Sequence, residues 1–151
     1  AYKSNVKGTQ NIASLLKYKQ LFYISTDSVF DGKIGNYTEV METNPVNYYA
    51  ETKLIGERTL NEIRQVGAKY FIIRTNIYGF NNQLKNSLFE WAFKELDKGN
   101  KISGYANMYF NPLYVGQLAS LLEKMSGLKI ESGIYNVGSN SFISKYEGGQ
   151  H

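Results

Sequence analysis

The chain has 151 residues, 42% of them apolar and 15% aromatic, which excludes a disordered segment and suffices for a domain with a real core. It has no cysteine, and its one histidine is the last residue, His151; disulfides, thiolate metal sites, cysteine nucleophiles and histidine-based triads are excluded, and no metal is expected. The 17 basic and 13 acidic residues leave a net charge of +4 without a basic block, and no apolar run reaches membrane-spanning length; neither nucleic acid nor a membrane is an expected partner, and the cytoplasm is the default location.

In chain order, residues 3–18 read as a helix, with Val6, Thr9, Ala13 and Leu16 on one stripe that Ile12 and Leu15 widen. Residues 21–24, within Phe22-Tyr23-Ile24-Ser25-Thr26, read as a buried parallel strand. A polar loop over 27–44 follows, with Gly32, Gly35 and Asn36; loops this long in compact domains are often functional. Asn44-Pro45 and Asn47 supply the start of a second helix, which runs to about Gln65 and closes at Gly67. Residues 70–75 are the second strand, with an apolar core suited to burial on both faces.

Residues 84–98 read as a helix whose Leu84, Leu88, Trp91 or Ala92, and Leu96 share a face, with Trp91 in the core. Residues 101–103 suit a short strand. Val115, Leu118, Leu122 and Met125 define a further helix, 133–138 a strand, and 144–147 the start of another helix.

One pair carries chemistry. Tyr49-Ala50-Glu51-Thr52-Lys53 places a phenol and an ammonium one helical turn apart on the same face. A nearby ammonium favours the phenolate and lowers a tyrosine pKa from its usual value near 10, making it a usable acid or base for carbonyl–alcohol interconversion. A hydroxyl from Ser25 or Thr26, at the end of the preceding strand, can bond the same substrate oxygen. Tyr49, Lys53, Gly56, Leu60 and Ile63 form one stripe, so Lys53 faces inward. The alternative is a lysine whose stem is covered and whose charge reaches water.

Ser25-Thr26-Asp27-Ser28-Val29-Phe30-Asp31-Gly32 and Pro45-Val46-Asn47-Tyr48-Tyr49-Ala50-Glu51-Thr52-Lys53-Leu54-Ile55-Gly56-Glu57 resemble the extended short-chain dehydrogenase/reductase superfamily. Within it they are most similar to the dTDP-4-dehydrorhamnose reductase family. The resemblance implies an α/β fold: a partial Rossmann-like parallel sheet with flanking helices over 1–80, and part of a small C-terminal substrate-binding region over 81–151. It implies a catalytic triad of Thr26, Tyr49 and Lys53. It also implies NADP or NAD held by Tyr49, Lys53, Ser25 and Thr75, and a nucleotide sugar met by Asp27, Phe30, Asn76, Asn107, Phe110 and Asn111.

Further segments share the resemblance. Asn5-Val6-x-Gly8-Thr9-x-Asn11 is similar to the superfamily, where the counterpart of Asn5 supports the active site; an ordinary polar helix residue is the alternative. Arg74-Thr75-Asn76-Ile77-Tyr78-Gly79 resembles its Arg-x-x-Asn-x-Tyr-Gly signature with one residue fewer, which leaves Asn76 open and Arg74 open to a structural ion pair. The 107–115 run resembles the segment that supplies rings and asparagines to a nucleoside and a sugar, with a buried aromatic turn as alternative. Gly133-Ile134-Tyr135-Asn136-Val137-Gly138 is also similar to the family.

No Gly-x-Gly-x-x-Gly or Gly-x-x-Gly-x-x-Gly occurs among these residues, so the chain is expected to be a fragment lacking the N-terminal dinucleotide-binding half. Such a fragment would bind NADP(H) or NAD(H) weakly, turn over little, and self-associate through a sheet edge beside 21–24. The resemblance implies reduction of the C4 keto group of a nucleotide-activated sugar. A nucleotide-sugar epimerase or dehydratase, and a non-catalytic regulatory subunit, are the alternatives.

Overall fold

The computed structural model describes residues 1–15, 19–63, 68–79, 94–95, 97–100, 109–140 and 143–144. The chain divides into two compact units, Ala1–Thr75 with Lys124–Val137, and Asn76–Glu123 with Gly138–His151.

The first unit is α/β. Strand β1 (Gln20–Thr26) pairs in parallel with β2 (Lys69–Tyr78), from Gln20 opposite Lys69 to Thr26 opposite Thr75. On the other side of β2, residues Phe71 to Arg74 pair in parallel with a later strand, Gly133–Asn136. Phe71, Ile72 and Ile73 are each at most 1% exposed, as a central parallel strand with covered faces requires. Ile72 packs with Tyr23 and Leu60, the latter on helix α2 (Tyr48–Ile63). Phe71, pointing the opposite way, stacks on Phe22 at 4.9 Å. Each such burial stabilises by roughly 1.5–3 kcal/mol. Among the described residues, β1 has a strand partner on one side only.

Helix α2 starts at Tyr48, and Asn47 caps it: its Oδ1 accepts the Ala50 amide at 2.9 Å. Pro45 lies outside the helix, and the expected end at Gln65 and Gly67 lies outside the described residues. Its buried face carries Ala50, Thr52, Leu54, Gly56, Glu57, Thr59 and Leu60.

The first helix is narrower than its sequence suggests. A π-helical stretch, Lys3–Gly8, runs into α1 (Thr9–Leu15). Val6 and Thr9 are buried, Ala13 half-buried, but Ile12 is 53% and Leu15 80% exposed. They do not widen the stripe, because the contact with α2 is made by its other side: Asn5 Nδ2 donates to Thr52 Oγ1 at 3.1 Å. Leu16 lies outside the described residues.

In the second unit, β2 continues past the expected end at residue 75. Asn76, Ile77 and Tyr78 pair in parallel with Pro112, Leu113 and Tyr114, which form β4 (Pro112–Tyr114). Before it, β3 (Tyr109–Phe110) pairs antiparallel with a last strand, Ile143–Ser144. Ser144 is therefore in a strand and not at a helix start; 145–147 lie outside the described residues. Helix α3 (Val115–Gly127) follows β4, with Leu118 and Met125 buried and Leu122 half-buried, while Val115 is 43% exposed and leaves the predicted stripe. Strand β5 is Gly133–Asn136, and the Ile143–Ser144 strand is β6. The apolar positions of the expected 84–98 helix, Trp91 among them, and the expected strand at 101–103 lie outside the described residues. Among the described residues, no helix is long and apolar enough to cross a membrane.

Candidate active site

Strand β1 delivers Thr26 to its C-terminal end, the edge at which open parallel sheets hold ligands. There the chain turns through a short 3-10 helix, Asp27–Val29. Thr26 Oγ1 accepts the Ser28 amide at 3.2 Å and donates to Asp27 Oδ1 at 3.4 Å. The loop beyond is organised by Asp31. Its carboxylate accepts from the Tyr37 hydroxyl at 2.5 Å, the Lys33 amide at 3.1 Å and Asn44 Nδ2 at 3.3 Å. The Tyr37 hydrogen bond, above all, lowers the Asp31 pKa to about 2. Gly32 and Gly35 adopt φ values of 73° and 75° there, a region a side chain rarely enters.

Tyr49 and Lys53 lie in the first turns of α2, and Tyr49 is 51% exposed. Lys53 Nζ donates to the Ile24 carbonyl at 2.8 Å, two residues before Thr26 on β1. The ammonium sits 5.0 Å from the Tyr23 ring centroid and 6.0 Å from that of Tyr49. Under this turn the Tyr23 hydroxyl donates to the Lys53 carbonyl at 3.2 Å. A Cβ at residue 56 would fall 2.2 Å from that hydroxyl and 2.6 Å from the Asn5 carbonyl oxygen. Glycine at that place in Tyr-x-x-x-Lys-x-x-Gly is thus a close approach of α2 to β1 and the first helix.

Burial pushes the Tyr23 pKa far up, with Glu57 and Tyr49 adding to it. Burial also raises Tyr49, and it lowers Lys53 against the opposing pull of Glu57. The expectation that Lys53 lowers Tyr49 is not met in this geometry: the ammonium is 6.0 Å from the ring and engaged with Ile24, so desolvation prevails.

Two of the expected ligand residues, Ser25 and Phe30, have buried side chains. Ser25 is 4% exposed and its hydroxyl donates to Glu57 Oε1. Phe30 is 6% exposed and packs with Val29 and Leu54. Sequence reasoning left Glu57 without a role. It is 1% exposed and pairs with Arg74, which is 4% exposed: Nη2 to Oε2 at 2.7 Å, Nε to Oε1 at 3.1 Å. This is the structural ion pair that was the alternative for Arg74. A glutamate and an arginine seventeen positions apart carry no local signal of pairing.

Thr75 stands beside Thr26 in register, is 4% exposed, and its Oγ1 has no protein hydrogen-bond partner. An unmet buried hydroxyl beside the end of β1, the strand to which Lys53 is bonded, fits the nicotinamide–ribose end of a dinucleotide. No glycine-rich loop among residues 1–151 matches its pyrophosphate.

The remaining expected residues belong to the second unit or lie outside description. Asn76 is half-buried opposite Pro112, and Phe110 is half-buried in β3. Asn111 is exposed and its Nδ2 donates to the Ser139 carbonyl at 3.4 Å. Asn107 lies outside the described residues. Among the described residues, no group of acidic or histidine side chains could hold a metal.

A parallel β1–β2–β5 sheet meeting a Tyr-x-x-x-Lys helix is the Rossmann-like arrangement of short-chain reductases. The chain belongs to the family described as the RmlD substrate binding domain, whose family model matches residues 1–151. It is 32% identical over 160 residues to a dTDP-4-dehydrorhamnose reductase of Aggregatibacter actinomycetemcomitans, covering 97% of this chain and 51% of that one. It is 31% identical over 133 residues to methionine adenosyltransferase 2 subunit beta of Xenopus tropicalis, covering 84% and 39%. The crystal structure of dTDP-4-dehydrorhamnose reductase from Bacillus anthracis in complex with NADP superposes with a TM-score of 0.87 at 30% identity, covering 99% of this chain and 52% of that one. The resemblance read from the sequence and the α/β fold are therefore borne out. The chain spans about half the length of the reductases it matches.

Proposed function

We propose that this chain carries the Thr–Tyr–Lys centre of an NAD(P)H-dependent reductase acting on the C4 keto group of a nucleotide-activated sugar. The observation that most supports this is the first part of α2. Tyr49 is open to solvent while Lys53 is anchored to the Ile24 carbonyl, just before Thr26. The family membership and the matched reductases favour the same reading.

When bound, the nicotinamide supplies a hydride to the carbonyl carbon. Tyr49 gives its proton to the carbonyl oxygen and recovers one from solvent through its exposed side. Its raised pKa keeps it in the acid form that reduction needs. Thr26 Oγ1–H turns from Asp27 Oδ1 to donate to the same oxygen. Lys53 has two N–H groups beyond the one on Ile24, which hold the ribose and stabilise the phenolate that Tyr49 becomes. Thr75 Oγ1 would help to hold the cofactor. Asp27, Asn76, Asn107, Phe110 and Asn111 are proposed substrate contacts.

The test is NADPH consumption by the full chain on addition of a dTDP-4-keto sugar. Stoichiometric oxidation supports the reductase. Sugar conversion without net oxidation identifies an epimerase or dehydratase instead. A second reading, a non-catalytic subunit, is favoured by the match to methionine adenosyltransferase 2 subunit beta; tight NADPH binding with no sugar conversion would identify that. Strand β1, paired on one side only among the described residues, is also proposed to self-associate, and light scattering that shows a stable monomer would remove that proposal.

A further inference from the structure

Asn136, on β5, takes no part in the chemistry above, yet it gathers several contacts. Its register partner on β2 is Arg74. Register partners of a parallel pair project to the same face, with the strands about 4.8 Å apart. The Arg74 guanidinium lies 5.1 Å from the Phe30 ring centroid, and Phe30 stacks on Tyr37 at 4.6 Å. The Tyr37 carbonyl in turn accepts from Asn136 Nδ2 at 2.9 Å. Two strands and the 27–44 loop thus converge on one polar spot.

Two atoms at that spot lack protein partners. Arg74 Nε and Nη2 are engaged with Glu57, but Nη1 is buried and unmatched. Asn136 Oδ1 is likewise buried and unmatched. One is a donor and the other an acceptor. A bound anion would suit the guanidinium and be repelled by the amide oxygen; a cation would do the reverse. The smallest group with both a donor and an acceptor is water, and buried waters typically satisfy groups of this kind.

We propose that Arg74 Nη1 and Asn136 Oδ1 share one buried water, and that this bridged pair fastens the 27–44 loop to the sheet. The water accepts from the guanidinium and donates to the amide oxygen. Asn136 holds the loop twice more, through Nδ2 on Tyr37 and through its backbone amide, which donates to Glu39 Oε1 at 2.8 Å. The loop begins directly after Thr26, so Asn136 is a positioning residue for that end of β1.

The test is a high-resolution crystal structure of the full chain together with hydrogen exchange on Asn136→Leu and Asn136→Asp. The structure is expected to show one water within hydrogen-bond distance of both atoms. Asn136→Leu, which loses the water and the Tyr37 bond, should speed exchange at Ile34 and Met41 by about tenfold while leaving Phe22–Ile24 on β1 unchanged. Asn136→Asp keeps an acceptor for the water and should speed loop exchange less. A direct Arg74–Asn136 contact with no water, or equal acceleration in loop and strand, would overturn the proposal. If Asn136→Leu does not fold, the crystal structure and Asn136→Asp decide it: no water, or loop exchange unchanged in the aspartate variant, overturns it.

Discussion

Tyr49 in the first turn of α2 is 51% exposed, whereas Glu57, two turns later, is 1% exposed. Near Tyr49 the helix is held by polar contacts: the Asn47 cap, Asn5 on Thr52 and the Lys53 ammonium on the Ile24 carbonyl. The middle is wedged by Gly56 against Tyr23 and Asn5, and tied through Glu57 to Ser25 and Arg74. One helix thus splits its duties along its length. The open turn offers a proton donor that can be altered at small cost to the fold. The closed turns hold β1 and β2 beneath it and tolerate little.

That split can be broken most severely at Glu57. Glu57→Ala leaves the Arg74 guanidinium buried and unpaired, and removing one partner of a buried pair costs roughly 3–5 kcal/mol. Urea unfolding of the full chain should show this as a lowered midpoint; a change below about 1 kcal/mol would mean the pair is not fully desolvated. Next comes Gly56→Ala. The new methyl meets a backbone oxygen that cannot swing away, so a loss of about 1–3 kcal/mol is expected by the same measurement. Asn47→Ala removes the cap of the open turn and should cost only about 1 kcal/mol, sharpening the contrast.

A smaller effect concerns the loop that leaves the site. The Asp31 pKa is lowered from 3.8 to about 2, chiefly by the Tyr37 hydrogen bond. A carboxylate depressed on folding contributes its stability above the unfolded value and loses it as pH falls through the folded one. Loop order, followed by hydrogen exchange at Lys33 and Ile34, should therefore weaken between about pH 4 and pH 2. Tyr37→Phe should shift that loss to higher pH; an unchanged profile would assign the pKa to another partner.

Much of this was legible in the sequence, for identifiable reasons. Runs such as 70–73 carry a strand signal, and Tyr-x-x-x-Lys-x-x-Gly lies within one helix, so spacing alone places its members. What escaped reading depends on contacts between distant segments. Phe30 looks like any exposed loop aromatic until Tyr37 and Arg74 are seen to enclose it. Ile12 and Leu15 satisfy a helical stripe but meet no packing partner that buries them. The extension of β2 to Tyr78 requires Pro112–Tyr114, and the strand at Ser144 requires Tyr109. The pairing of Glu57 with Arg74 joins a helix to a strand, which no local pattern records.

The most direct test of the split is Tyr49→Phe in the full chain, assayed for reduction of a dTDP-4-keto sugar with NADPH alongside thermal unfolding. The account predicts a fall in turnover of about 10²-fold or more, with cofactor affinity and melting temperature essentially unchanged. Retained turnover would contradict the assignment of Tyr49 as the proton donor. A large loss of stability would contradict the claim that the Tyr49 side chain is free of structural duty.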